Sequence, residues 1–270
     1  MADEPAAQEV VFHEPKAGST EAEWEDCAGL RPAAPGRAGI ARYVVVDGAT
    51  EAYDSLRWVR QLVTAFLGTD GSQPPAITRD GIDGWIAAMQ DRWLDEAPRS
   101  FATVFEERKF HDAGSFATFL GCDITGLGGG QPSWRAAAIG DAVLYLVRTG
   151  QVVEQLPRMA PDEFGLNPEG LFTQPAARDR MRAALQLGHG RLQVGDLLFL
   201  ATDALAEWLA RRSTADGGAC WHTLAAMRHP TEFRRFVAAE RRERRMKNDD
   251  VTLLRVEITP AEADVLVVCR

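Results

Sequence analysis

The sequence predicts an α+β fold built on antiparallel strands, and three observations carry that expectation. Short strands come in runs joined by tight turns, as at Trp134–Ile139, Val143–Arg148 and Gln151–Glu154. Helical patterns come in separate blocks and do not alternate regularly with strands, which argues against a doubly wound parallel sheet. The continuous apolar run Tyr43–Val46 and two further apolar runs, Leu197–Thr202 and Val251–Val256, read as buried strands.

In chain order, Met1–Ala7 is expected to be a frayed end and Val10–Phe12 to begin an edge strand. Cys27–Leu30 reads as a short strand, Arg31–Arg37 as a Pro/Gly-rich loop, and Ile40–Val46 as the first key strand. Leu56, Val59, Leu62, Val63 and Phe66 then line one face of a helix over Leu56–Leu67, with Asp54 or Ser55 as its cap. Ile82, Trp85, Ile86, Met89 and Trp93 mark a second helix, its aromatic stripe read as core. Phe116–Leu120 and Cys122–Thr125 are strand material. Gly126–Gly130 links strands and lacks the Lys-Ser/Thr ending of a nucleotide-binding loop. Pro157–Gly170 is irregular. Ala176–Leu187, Ala204–Arg212 and Thr231–Lys247 read as helices, and Val265–Val268 as a last strand.

The formal charge of −9 disfavours generic binding to nucleic acid or to an anionic membrane. Cys27, Cys122, Cys220 and Cys269 have no metal-ligand or redox spacing and are expected to be free thiols in a reducing compartment. Met1–Val10 lacks a basic segment followed by an apolar core, and no apolar run approaches membrane-spanning length. The expected location is the cytoplasm.

Chemistry concentrates at the strand ends. Asp47-Gly48 closes the first apolar run, Asp203 the second, and Asn248-Asp249-Asp250 opens the third. With the third strand antiparallel to the others in one sheet, all three carboxylates reach the same sheet edge. Uncompensated carboxylates repel, so such a site calls for a cation. Hard oxygen ligands without His or Cys suit Mg²⁺ or Mn²⁺. A phosphoryl-transfer fold with Asp-x-Asp after its first strand does not fit, because Val45 stands two residues before Asp47.

The order of short motifs resembles the metal-dependent protein phosphatases of type 2C, in a divergent bacterial form, from about Glu21 to Ile258. Glu25-Asp26 matches an early Glu-Asp, Asp47-Gly48 the start of Asp-Gly-His-Gly-Gly, and Gly114-Ser115 a Gly-Ser/Thr-Thr stretch. Gly140-Asp141 matches Gly-Asp-Ser, Gly195–Ala204 matches Gly-Asp-x-x-x-x-x-Thr-Asp-Gly, and Asn248–Thr252 matches the late Asp-Asn/Asp-x-Ser/Thr.

The resemblance implies a four-layer α/β/β/α sandwich of two antiparallel sheets flanked by helices. It implies one phosphatase-like domain over residues 21–270, preceded by an N-terminal extension or edge strand over 1–20. It implies hydrolysis of phosphoserine and phosphothreonine by a metal-activated water, with two Mn²⁺ or Mg²⁺ ions. Asp47, Asp203 and Asp249 would be the catalytic metal ligands, with the Gly48 carbonyl and, through a water, Glu25. Asp26, Glu51 and Asp141 are second-tier candidates. The implied partners are a phosphoprotein substrate and an opposing Ser/Thr kinase system.

The chain departs from that pattern in specific places. Ala49 replaces the His after Asp-Gly and removes a general acid, and Thr50 and Glu51 stand where glycines are common. Ala142 replaces Ser and Ala204 replaces Gly. Glu21–Trp24 has no counterpart of the Arg often found before Glu-Asp, and Lys16 lies too far upstream to fill its register. Arg241, Arg244 and Arg245 precede Asp249 closely enough to be the phosphate or substrate candidates; otherwise they are a solvated helix face. Two function classes follow: a metal-dependent phosphatase, or a degenerate phosphatase fold kept as a binding or regulatory module.

Overall fold

The computed structural model describes residues 4–33, 39–49, 52–98, 100–165 and 169–261. The strands in order are β1 (Pro5–Glu14), β2 (Cys27–Arg31), β3 (Ala41–Gly48), β4 (Phe116–Thr125), β5 (Ser133–Ile139), β6 (Val143–Arg148), β7 (Gln151–Leu156), β8 (Leu171–Phe172), β9 (Gln186–Arg191), β10 (Leu197–Ala201) and β11 (Val251–Pro260). The helices are α1 (Ser55–Leu67), α2 (Arg79–Asp95), α3 (Val104–Arg108), α4 (Arg178–Ala184), α5 (Asp203–Ala215), α6 (Ala219–Ala226) and α7 (Pro230–Arg242).

One sheet has the order β1-β11-β10-β6-β7 and the other β2-β3-β4-β5-β9, with β8 added to β4. Every pairing between neighbouring strands is antiparallel. The sheets stack, and helices cover both outer faces, giving the four-layer sandwich. Side-chain alternation builds three apolar layers between these four. On β3, Tyr43 and Val45 face the opposing sheet, while Val44 and Val46 face α1 and α2. On β10, Leu198 and Leu200 face the opposing sheet, while Phe199 and Ala201 face α5 to α7. Strands buried on both faces take apolar residues at most positions, which explains the apolar runs in the sequence.

The sequence expectation that β3, β10 and β11 share one sheet is corrected. β10 pairs antiparallel with β11, but β3 belongs to the other sheet. The carboxylates therefore meet across the sandwich at the end where both sheets finish.

Other elements also differ. Pro5–Ala7 is not frayed: it pairs with Ile258–Pro260 in a ten-residue ladder, because the β11 backbone supplies partners that Ala and Gln side chains do not advertise. The helix expected over Ala176–Leu187 stops at Ala184, and Gln186–Arg191 forms a strand. Gly188 and Gly190 lie against the Trp134 ring, so this strand carries no apolar alternation to read. Helix α7 ends at Arg242, short of Lys247. Val265–Val268, Cys269 and most of the Arg31–Arg37 loop lie outside the described residues. No helix among the described residues is long and apolar enough to cross a membrane.

Candidate metal centre

Three acidic side chains converge at the end of the sandwich. Asp47 stands at the end of β3, Asp203 opens α5 directly after β10, and Asp141 sits in the turn between β5 and β6. Each offers a carboxylate oxygen, and these oxygens lie within 4.8 Å of one another.

The turn that carries Asp141 passes from one sheet to the other, since β5 and β6 belong to different sheets. Gly140 makes the crossing at φ 105°, a left-handed conformation, and a Cβ there would lie 2.5 Å from the Glu169 carbonyl oxygen. Gly48 has a related constraint: a Cβ would come within 2.8 Å of the Glu25 carbonyl oxygen, so the chain before Asp26 can close onto the β3 end.

Asp26 ties the strand ends together. Its Oδ2 accepts from Thr202 Oγ1 at 2.9 Å and from Thr252 Oγ1 at 2.7 Å, and Thr252 N donates to Thr202 Oγ1 at 2.9 Å. Asp250 is a second clamp, accepting from Lys16 N and Glu25 N, both at 2.8 Å. Glu25 accepts from Ser55 Oγ at 2.8 Å, and Lys16 Nζ stands 3.7 Å from its other oxygen. Sequence register thus hides Lys16, which the fold returns to the rim of the site.

The electrostatics are those of a site built for positive charge. Burial raises Asp47 well above the carboxylate range, and the charges of Asp26, Asp203 and Asp141 raise it further. Burial, with Asp203 beside it, pushes Asp141 up to about 6, against the opposing pull of Lys247. Burial pushes Asp26 up to about 7, with Asp250 and Asp203 adding to the rise and the two Thr hydroxyls opposing it. Asp203 is raised by burial, and Lys247 offsets part of this. Both Asp141 oxygens, Asp203 Oδ1 and Asp26 Oδ1 are buried without a hydrogen-bond partner. Orphaned buried carboxylate oxygens are costly, and a hard divalent cation satisfies several at once. The donor set fits Mg²⁺ or Mn²⁺.

Asp249 stands apart from this group. Its side chain is 48% exposed, and its Oδ2 lies 3.6 Å from Lys247 Nζ. Lys247 Nζ also donates to Asp203 Oδ2. Lys247, at the end of the stretch that reads as a helix in the sequence, gives no local sign of this contact beyond its position two residues before Asp249.

The three candidate arginines have different surroundings. Arg241 donates to the Pro15 carbonyl at 2.8 Å and to the Asp249 carbonyl, bracing backbone. Arg245 is forked onto Glu240 at 2.7 and 2.6 Å and also pairs with Glu243. Arg244 is exposed, its side chain forms no hydrogen bond or ion pair among the described residues, and it lines a cleft of about 740 Å³ beside Lys247. Glu51 and Thr50 lie outside the described residues.

No protein-family model matches the chain, and no curated protein sequence matches it. Solved structures do match at low identity. The catalytic domain of the serine/threonine phosphatase PstP, in complex with two manganese ions, is 16% identical over 94% of this chain and 99% of its own, with a TM-score of 0.61. The serine/threonine phosphatase Stp1 from Staphylococcus aureus is 13% identical over 96% and 97%, at 0.63. The phosphatase domain of the cell fate determinant SpoIIE from Bacillus subtilis is 12% identical over the whole of both chains, at 0.50. The chain has the fold of the type 2C serine/threonine phosphatases.

Proposed function

We propose that the chain is a metal-dependent phosphatase acting on phosphoserine and phosphothreonine in proteins. The observation that carries this reading is the convergence of Asp47, Asp141 and Asp203, with orphaned buried oxygens, at one end of the sandwich. Two divalent ions, Mn²⁺ or Mg²⁺, fit that donor set, with Asp249 and the Gly48 carbonyl as further ligands. Asp141 moves from the second tier into the ligand group.

Divalent ions bound there supply charge neutralisation at the phosphoryl group and lower the proton affinity of water. The chain's own residues do the rest. Asp26 fixes the ends of β10 and β11, and so the position of Asp203. Glu25, held by Ser55, is placed to orient water at the rim. Lys16 and Arg244 offer positive charge to the phosphate, whereas Arg241 and Arg245 hold the backbone and Glu240. The substrate is a phosphoprotein, set against an opposing Ser/Thr kinase, in the cytoplasm.

Ala49 gives no proton to a leaving group. A serine alkoxide needs one and an aryl oxide does not, and general acid help contributes about 10²–10⁴-fold. With Mn²⁺, aryl phosphates are therefore hydrolysed far faster than phosphoserine peptides. Turnover of neither substrate, with metal bound by calorimetry, would favour the second reading, a degenerate regulatory module. Ala49 and the ammonium at Asp203 are the features that support that reading.

A further inference from the structure

Lys247 lies between the two carboxylates that the late part of the chain contributes to the site. Its Nζ donates to Asp203 Oδ2 and stands 3.6 Å from Asp249 Oδ2. A cation shared by Asp203 and Asp249 would occupy the same space.

The placement is built by the loop that follows α7. The helix ends in a paired turn: Arg244 N donates to the Arg241 carbonyl at 3.0 Å and Arg245 N to the Glu240 carbonyl at 2.9 Å. Arg244 adopts φ 57° to make this turn, a conformation usually left to glycine. Glu240 then locks the exit, accepting from Arg245 on both oxygens and from Trp208 Nε1 at 2.8 Å. At the far end, Arg241 grips the Asp249 carbonyl, and Asp250 is held by the amides of Lys16 and Glu25. A loop pinned at both ends presents the ammonium to the cluster. The side chain is 30% exposed and lines the cleft beside α5, so it has somewhere to go.

We infer that Lys247 is a built-in competitor for a divalent ion at the Asp203–Asp249 side of the centre. Loading that side requires the ammonium to leave Asp203 and swing into the cleft. A tethered monovalent cation satisfies the carboxylates at low metal and yields to a divalent ion at high metal, so it sets the concentration at which the centre fills. This rests on the metal-centre reading above.

Calorimetric titration of Mn²⁺ into the full-length wild type, Lys247→Met, Lys247→Arg and Asp203→Asn tests both together. In Lys247→Met the weaker binding event tightens by at least about tenfold, the scale of one charge-assisted hydrogen bond. Lys247→Arg, which keeps the charge, stays close to the wild type. Equal affinities in the wild type and Lys247→Met, with Asp203→Asn clearly weakened, overturn the competition and leave the metal centre standing. No binding in any of the proteins overturns both. Should Lys247→Met fail to fold, amine labelling of the wild type decides, because the chain has only three lysines, Lys16, Lys109 and Lys247. Mn²⁺ must then raise labelling at Lys247 and not at Lys109; unchanged labelling at Lys247 overturns the proposal.

Discussion

Two buried aspartates, one in each sheet's half of the sandwich, have opposite surroundings. Asp123 on β4 and Asp203 at the start of α5 are equally buried, each 8% exposed. Asp123 faces Arg42 directly across the β3–β4 ladder. The guanidinium bonds both of its oxygens at 2.7 Å, donates also to the carbonyls of Phe66 and Pro75 at 2.9 Å, and packs over the Phe66 ring. Asp203 keeps one oxygen without a partner, among three other carboxylates of like charge. Five residues along β3, the same strand goes from Arg42, which completes a structural ion pair, to Asp47, which joins a cluster that the Lys247 ammonium compensates only in part. Burial alone therefore does not mark a functional acid here. What marks it is burial without enough partners.

The largest effect that tests this contrast is on stability. Arg42→Ala leaves Asp123 charged and alone and two buried carbonyls without their donor. Breaking one side of a buried pair costs about 3–5 kcal/mol. Urea denaturation of the metal-free protein reads this directly. A loss well under that range would mean that Asp123 finds other partners and that the two aspartates differ less than their contacts say.

Next comes the response to metal. Mn²⁺ at a hundred times its dissociation constant stabilises the folded chain by about 2.7 kcal/mol if it binds the native state alone. Arg42→Ala keeps that increment, because its ion pair is remote from the cluster. Asp203→Asn loses most of it. Thermal melts with and without Mn²⁺ separate the two variants, and equal increments in both would remove Asp203 from the centre.

The pH dependence of the metal-free protein has a definite sign. The Asp26 carboxyl lies near 7 in the fold against an ordinary value of 3.8, and Asp141 near 6. The folded state therefore holds protons that the unfolded chain has released. Their contribution to stability is complete below about pH 4 and is lost as pH rises through 6 and 7. Denaturation midpoints that fall between pH 5 and pH 7.5, and that fall less with Mn²⁺ present, are expected. A rise over that interval would mean the cluster is already compensated.

How much of this could be read from the chain follows the same logic of burial and pairing. The strands β3, β10 and β11 were legible because strands buried on both faces are mostly apolar, and the Asp at the end of each run was visible with them. The sandwich itself came through the order of short motifs. Asp141 was legible only as a lesser candidate, because Gly140-Asp141 between two strands looks like an ordinary turn. Its importance depends on β5 and β6 lying in different sheets, and no local pattern encodes that. Lys16 and Lys247 were hidden for a related reason. Lys16 reaches Glu25 because Asp250, more than two hundred residues away in sequence, holds its backbone amide. Lys247 reaches Asp203 because α7 ends early at a left-handed arginine, where an unbroken helical pattern runs on in the sequence. Conversely, Arg245 looked available in the sequence and is occupied by Glu240.

The smallest effect is also the most specific to the contrast. Asp141 has both oxygens buried without partners and Asp203 within reach. Asp141→Asn removes one of the repelling charges and supplies an amide that can donate to a neighbouring carboxylate. In the metal-free protein at pH 7.5 this stabilises the fold by about 1 kcal/mol, the net value of a typical hydrogen bond. At pH 5 the gain shrinks toward zero, because the native Asp141 carboxyl, pushed up to about 6, is already mostly protonated there. Mn²⁺ affinity falls in the same variant, so stability and binding move in opposite directions. The matching change at Asp123 moves stability down at both pH values and leaves Mn²⁺ affinity alone. Urea titrations of Asp141→Asn and Asp123→Asn at the two pH values, each paired with one Mn²⁺ isotherm, make the comparison. If Asp141→Asn destabilises the metal-free chain as Asp123→Asn does, the acids at the sandwich end are structural, and the metal-centre reading loses its main support.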